Sequence, residues 1–443
     1  MNVLYLYEST QTYTNAVYEH ISSFARFSRY KSFFCHQDRL IDFNVDLSEF
    51  DAVGIHFSIR LPFDEIAPST RRALQSFSGL KFVFIQDEYD NTHRAWYWIR
   101  ILGIGLVFTV VPEKGIRRIY PSAEFPNTRF VSNLTGYVPD NLVAPEAVKP
   151  PSQRSIVVGY RGRPLPIRYG KLGFEKVEIG KQFKTYCDSR GIRNDIAWTE
   201  DARIYGPAWY EFMASCRAML GSESGSNVFD WDGTLGRKIS WARLFGFTKN
   251  DTDIYERFVR AKEIDGVMNQ VSPRIFEAIA NRTVLVLYEG TYSGVVEPGI
   301  HFVSVRKDGS NIEYVMRCLE DASFVDEMAE RAYTDVIASG RYSYKKFVEM
   351  VDDEIFRQLV EFGFKLNSKG SKSSSMSDST RPSTPISVFP LRAQPPLPKN
   401  QPAGIKMKTE DWARRRAYGV WGRLPVQCRS LLKTPLRKLL KRG

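Results

Sequence analysis

Histidine and cysteine are scarce in this chain, five of each among 443 residues. The cysteines, at positions 35, 187, 216, 318 and 428, form no Cys-x-x-Cys pair and keep no metal-ligand spacing with the histidines. That argues against a structural zinc site and against a disulfide scaffold, and a reduced compartment is expected. Long apolar runs are missing too. The longest, Ala95 to Val111, is interrupted by Arg100 and two glycines and falls short of the ~18 residues that span a bilayer. It predicts a helix followed by a strand. The first residues, Met1-Asn-Val-Leu-Tyr-Leu-Tyr7, lack the basic segment and cleavage site of a leader. Export is not expected, and the Asn-x-Thr triplets at Asn133 and Asn281 then carry no glycan.

Basic charge is plentiful but unevenly placed. Residues 367–443 hold 17 Lys and Arg against 3 Asp and Glu, so the remainder carries −2 of the chain's net +12. A near-neutral body argues against a nucleic-acid-binding core. The stretch 369–398 is rich in Ser, Lys and Pro and predicts disorder. Residues 423–442 mix Leu and Val with Arg and Lys, which suits contact with an anionic membrane surface. Pro425 and Pro435 prevent one long helix there. Polyanion binding and a solubilising tail are the alternatives.

The body, in contrast, alternates strands and helices. Asn2–Tyr7, Ser32–Cys35, Asp51–Phe57, Lys81–Gln86, Leu106–Val111 and Thr128–Ser132 read as strands, with helical spacing between them at 14–27, 68–77 and 112–119. A Pro-rich linker covers 141–154. A second series follows, with strands at 155–160, 195–198, 217–221, 283–288 and 301–305, an insertion at 236–265, and a closing helix from about Tyr344. This order predicts an α/β protein of two Rossmann-like domains facing a cleft, 1–140 and 155–340, a closing segment 341–366 and a basic tail 367–443.

Four groups of residues could carry chemistry. In Gly159-Tyr-Arg161-Gly-Arg163, two arginines flank a glycine directly after a buried strand, and Glu175-Lys176 opens the next helix. Arginine forks, a lysine and a helix N-terminus together suit phosphate groups. Solvated surface cations are the alternative. Ser272-Pro-Arg274-Ile-Phe-Glu277 reads as an N-cap and first turn, a position that also suits an anion. Glu277 reaches toward ligand hydroxyls, and Ala278 and Ala280 let the helix lie close to the sheet. Gln86-Asp87-Glu88-Tyr89 ends a first-domain strand; its two acids serve as a base or bind acceptor hydroxyls, or else cap a helix near Thr92. His56 and His93 are further cleft candidates, with a structural role as the alternative. Glu223, in a polar loop after a strand, lines a ligand pocket or is plain loop. Asp230-Trp-Asp232 and Asp251-Thr-Asp253 have the Asp-x-Asp form used for metal elsewhere, but neither follows the expected strand, and no metal is expected.

The segment 155–305 resembles the C-terminal domain of GT-B glycosyltransferases of the family 4 / CgeB-like group. Gly159-Tyr-Arg-Gly-Arg163, Glu175-Lys176, and Ser272-Pro-Arg-Ile-Phe-Glu-Ala-Ile-Ala280 followed by Thr283-Val-Leu-Val-Leu287 carry the resemblance. The resemblance implies a transferase that moves a sugar from a nucleotide diphosphate to a glycan, lipid-linked or other acceptor, with retention of configuration and no cofactor. Arg161, Arg163 and Lys176 would hold the diphosphate, and Ser272, Arg274 and Glu223 would line the donor site. Glu277 would hold the ribose, Asp87 and Glu88 would be catalytic, and Gln86, His56 and His93 would face the acceptor. The group's helix bears two glutamates eight positions apart; the first falls here on Asn269, and the usual glycine after the helix is Asn281. A nucleotide-sugar epimerase and a noncatalytic scaffold of the same fold are the rival expectations. A cytoplasmic location, with peripheral contact at the inner face of a membrane, goes with the transferase reading.

Overall fold

The computed structural model describes residues 1–139, 148–244, 250–361, 363 and 390–396. The first domain is a six-stranded parallel sheet: β1 (Asn2–Tyr7), β2 (Lys31–His36), β3 (Ala52–Ile55), β4 (Leu80–Ile85), β5 (Leu106–Thr109) and β6 (Arg129–Ser132), in spatial order β2-β1-β3-β4-β5-β6. The second is a five-stranded parallel sheet: β7 (Ile156–Arg161), β8 (Asn194–Ala197), β9 (Cys216–Gly221), β10 (Val284–Tyr288) and β11 (Phe302–Val305), ordered β11-β10-β9-β7-β8. Both sheets are covered on two faces, which is why strands such as Val284–Tyr288 are continuous apolar runs, buried at every residue.

Each sheet reverses direction once. The chain leaves β7 for β8 on one side and then returns to place β9 on the other. A crevice opens at such a switch point, beyond the carboxyl ends of the two strands. The loops after Arg161 and Gly221 therefore meet there. The absence of a side chain at 159 makes room for the Cys216 thiol: a Cβ there would lie 2.3 Å from Cys216 Sγ.

The helix Tyr344–Glu361 returns to the first domain. Phe347, Val348, Val351 and Ile355 join Tyr5, Phe24 and Phe84 in one buried cluster. Asp352 accepts from the Ser28 hydroxyl at 3.0 Å and the Arg29 amide at 2.8 Å, and Glu354 pairs with Arg129 at 2.6 Å. A second apolar seam comes from Phe229, Val267 and Met268, which belong to the long segment between β9 and β10 but pack into the first-domain core with Val111 and Ile116.

The second domain is pinned from beneath by Arg154, which is only 4% exposed. Its guanidinium donates to the carbonyls of Lys149, Cys216 and Asn281 and to the Thr283 hydroxyl, all at 2.8–3.0 Å. Of the expected linker 141–154, residues 141–147 lie outside the described residues, as does the expected basic tail 367–443 apart from 390–396. No helix among the described residues is long and apolar enough to cross a membrane.

Candidate functional site

The segment Ser272–Ala280 places two charged side chains on one stripe of a short helix. Pro273 sits in the first turn of the helix Pro273–Ala280, where its missing N–H is no loss. Ser272 occupies the cap position with extended dihedrals, but its hydroxyl makes no cap bond. Ile275, Phe276, Ala278 and Ile279 are buried. Arg274 and Glu277, three residues apart, share the remaining face. Both line a cavity of about 830 Å³ whose other wall is Tyr13–Ala16 of the first domain. Ser272, Arg161 and Arg163 line the same cavity.

Glu277 is half-buried. Its Oε2 accepts from the indole N–H of Trp209 at 2.8 Å. Burial raises its carboxyl above the ordinary range, while the Trp209 hydrogen bond and Arg274 pull it back down. The Arg274 guanidinium lies 5.3 Å from the ring centroids of both Tyr160 and Trp209, so its plane is set by two aromatic faces.

Lys176 was expected to open its helix. Instead the helix runs Gly170–Ser189, begun by Gly170 at a positive φ of 68° that favours glycine. Lys176 therefore lies in the second turn, and its ammonium reaches the carbonyl of Glu223 at 3.3 Å and the Ser224 hydroxyl at 3.0 Å. Burial, and then the charge of Arg274, lower it to about 8. Neighbouring Glu175 turns the other way, to Lys307 at 2.6 Å.

Glu223 does not present its carboxylate to the cavity. It is 2% exposed and accepts from the amides of Thr291 and Tyr292 at 3.0 and 2.9 Å, from the Thr291 hydroxyl, and from the Asn269 side-chain amide. Asn269 in turn accepts from Asn227 at 2.7 Å. At the position where the resembling group carries an acid, this chain thus has an amide backed by a buried acid. The carboxylate is already saturated with donors, so its role is to hold two loops together.

The two arginines after β7 diverge. Arg161 is held by Asp195 through an ion pair at 2.8 Å and lies over the Phe212 ring. Arg163 is exposed and lines the cavity. Among the described residues, Lys176, Arg163 and Arg274 take part in no ion pair.

The first-domain expectations fare differently. Glu88 is fully buried, receives the Thr109 hydroxyl, and holds its proton up to about 8 because burial disfavours the charge. It points into the domain, toward Thr109 of β5, and not into the cleft. Asp87 is exposed, bonded to Tyr89 at 2.8 Å, and with Gln86 lines a smaller cavity beside Arg60 and Phe57. His56 is fully buried between His20 (3.0 Å) and Ser58 (2.9 Å), turned away from the cleft. His93 is exposed and packs on Trp96 and Trp231. The rest of this turn is a fastener between domains: Asp90 binds Arg168 at 3.1 Å and the Tyr169 hydroxyl at 2.8 Å. Asp230 accepts from the amides of Leu235 and Gly236 at 2.9 Å, and Asp232 from the amide and hydroxyl of Thr234, so these acids are helix caps. No group of three or more His, Cys, Asp or Glu among the described residues could hold a metal ion.

Trp209 and the wall Tyr13–Ala16 were not foreseen. The signal for Trp209 was faint: a tryptophan in the first turn of a helix led by Gly206-Pro207.

No protein-family model matches the chain, and no curated protein sequence matches it. Solved structures with a similar fold include an alpha-glucosyltransferase in complex with UDP and a 13-mer DNA, 10% identical, with 81% of this chain and 99% of that chain covered at a TM-score of 0.49. Anabaena HepE in complex with UDP-glucose is 13% identical over 82% of this chain and 100% of that chain, at a TM-score of 0.42. TarM is 12% identical over 69% of this chain and 54% of that chain, at a TM-score of 0.35.

Proposed function

We propose that the chain is a glycosyltransferase that binds a nucleotide-diphosphate sugar in the cleft between its two domains. The observation that carries the reading is that Arg163 and Arg274, which lack carboxylate ion-pair partners among the described residues, line one cavity with Glu277, while Lys176, likewise without an ion pair there, lies near enough to Arg274 to feel its charge. Burial first, and then the charge of Arg274, disfavour the Lys176 ammonium, and a nearby negative charge would offset both. A diphosphate supplies that charge, and arginine forks beside a lysine suit its oxygens.

In this reading Lys176 and Arg274 neutralise the diphosphate as it leaves, stabilising charge that grows in the transition state. Arg163 adds a third cation at the mouth. Glu277, oriented by Trp209, accepts hydrogen bonds from the ribose hydroxyls. Arg161 contributes indirectly, by holding the β7 loop to β8. The acceptor approaches along Tyr13–Ala16, and the chemistry requires neither metal nor cofactor. This reading gives the enclosed Glu88 no part as a base, and Asp87 stands outside the cavity lining.

The test is calorimetric binding of UDP and UDP-glucose, followed by donor turnover. The reading expects binding by the wild type and a loss of about tenfold or more in Arg274→Ala and Lys176→Met, in line with removal of a charged hydrogen-bonding partner. No binding of any nucleoside diphosphate by the wild type, or unchanged affinity in both variants, defeats it.

A further inference from the structure

The segment 390–396, Pro-Leu-Arg-Ala-Gln-Pro-Pro, gives its last three residues to the cavity wall although they come more than a hundred residues after its other lining groups. Leu391 packs against the first-domain cluster that contains Tyr5, Tyr7 and Phe34. The Arg392 amide donates to the Tyr7 hydroxyl at 3.1 Å and its guanidinium to the Ser9 hydroxyl at 3.4 Å. The Gln394 side-chain amide donates to the Tyr13 carbonyl at 3.3 Å and to Asn15 Oδ1 at 3.1 Å. Gln394, Pro395 and Pro396 then face the space bounded by Arg163, Trp209, Arg274 and Glu277.

We propose that Pro390–Pro396 is a cis-acting strap that lies on the acceptor side of the cleft and must lift before an acceptor can reach the donor. This rests on the transferase reading, which makes Tyr13–Ala16 the acceptor wall. Three features support a strap and not a permanent part of the core. Three prolines in seven residues bias the free segment toward an extended backbone, so docking orders it at small entropic cost. The attachment is light among the described residues: one partly buried leucine and four hydrogen bonds, two of them from the exposed Arg392 and two from the exposed Gln394. Tethering in the same chain makes docking intramolecular, so weak contacts suffice to keep it populated. The residues it holds, Tyr13 and Asn15, are the same ones that form the opposite wall from Glu277.

The experiment compares the full chain with a full-length variant in which 390–396 is replaced by a Gly/Ser stretch of equal length. Hydrogen exchange is followed at Tyr13–Ala16. Acrylamide quenching of Trp209 is taken as the difference between each protein and its Trp209→Phe counterpart. Replacement is expected to speed exchange about tenfold, the ratio for a strap docked about nine-tenths of the time, and to raise Trp209 quenching. A synthetic peptide of residues 388–398 added in trans is expected to reverse both. Unchanged exchange and quenching after replacement overturn the proposal, and so does a peptide that restores neither. UDP calorimetry on both proteins separates the two ideas. A changed exchange pattern without UDP binding keeps the strap and removes the transferase reading; UDP binding with unchanged exchange does the reverse.

Discussion

Trp209 donates its indole N–H to Oε2 of Glu277 at 2.8 Å, and its ring also packs against the Arg274 guanidinium. One side chain therefore sets the direction of both the acid and a cation that face the cavity. Trp209→Phe keeps most of the ring and removes only the donor. Nucleotide affinity is expected to fall about tenfold, the lower end for a hydrogen bond to a charged group, because Glu277 is only half-buried. Titration calorimetry with UDP reads this. A compensating feature of the result would be a small change in melting temperature, since the packing is retained.

Lys176 links pH to both binding and stability. Its ammonium is lowered from the usual 10.5 to about 8, so the fold disfavours the charged form. Its stabilising contribution is complete above about 10.5 and is lost as pH falls toward 8; at pH 7 the full penalty is present. Lys176→Met should therefore raise the melting temperature of the ligand-free protein at pH 7. Diphosphate affinity in the wild type should decline as pH rises through about 8, and the variant should bind weakly with a flat profile there. Melting curves and UDP titrations at pH 6.5, 7.5 and 8.5 check both signs.

Glu88→Gln distinguishes a buried structural acid from a catalytic one. The carboxyl is raised from 4.5 to about 8 by burial. Its contribution to stability is full below about 4.5 and disappears as pH climbs to 8. Glutamine retains an acceptor for the Thr109 hydroxyl and cannot ionise. Between pH 5 and 8 the variant should lose less stability than the wild type, and donor turnover should change by less than about twofold, as for a residue that makes no transition-state contact. A turnover loss of ~10²-fold, the lower bound for a general acid or base, would return Glu88 to the mechanism.

Arg154→Met should be strongly destabilising, by about 3 kcal/mol or more, because it leaves three carbonyls and a threonine hydroxyl without their donor. Urea unfolding checks it. Nucleotide binding by the fraction that stays folded should be preserved, as Arg154 lies outside the cavity lining.

Gly225→Ala probes the loop that receives the Lys176 ammonium. Gly225 has φ +94°, and a Cβ there would come 2.1 Å from the Met268 carbonyl oxygen. The antiparallel bridge between Ser224 and Gln270, with N–H···O distances of 2.7 and 3.0 Å, leaves no room for relief. The substitution is expected to cost about 2 kcal/mol or more and to weaken UDP binding by moving Ser224. Thermal melting and calorimetry read the two effects.

The helix Pro273–Ala280 was legible because its evidence is local: a proline in the first turn, a stripe of Ile, Phe and Ala, and two charged residues left on one face. Glu277 and Arg274 followed from that spacing. Asp87 and Glu88 were not separable by sequence, since both sit in the turn after a strand and nothing local says which of them faces the core. Glu223 could not be read either. Its donors are the Asn269 side chain and the loop at Thr291 and Tyr292, 46 to 69 residues away along the chain.

By itself the sequence determined the alternation of strands and helices and the parallel sheets, because apolar runs and helical periodicity are written within a few residues of each other. Tertiary structure alone decided which polar groups share the cleft. Strand order brings Arg161 to Asp195, helix packing brings Trp209 to Glu277, and the docking of 390–396 brings Gln394 to Tyr13. Such pairings depend on how distant segments stack, and no local pattern of residue types encodes them.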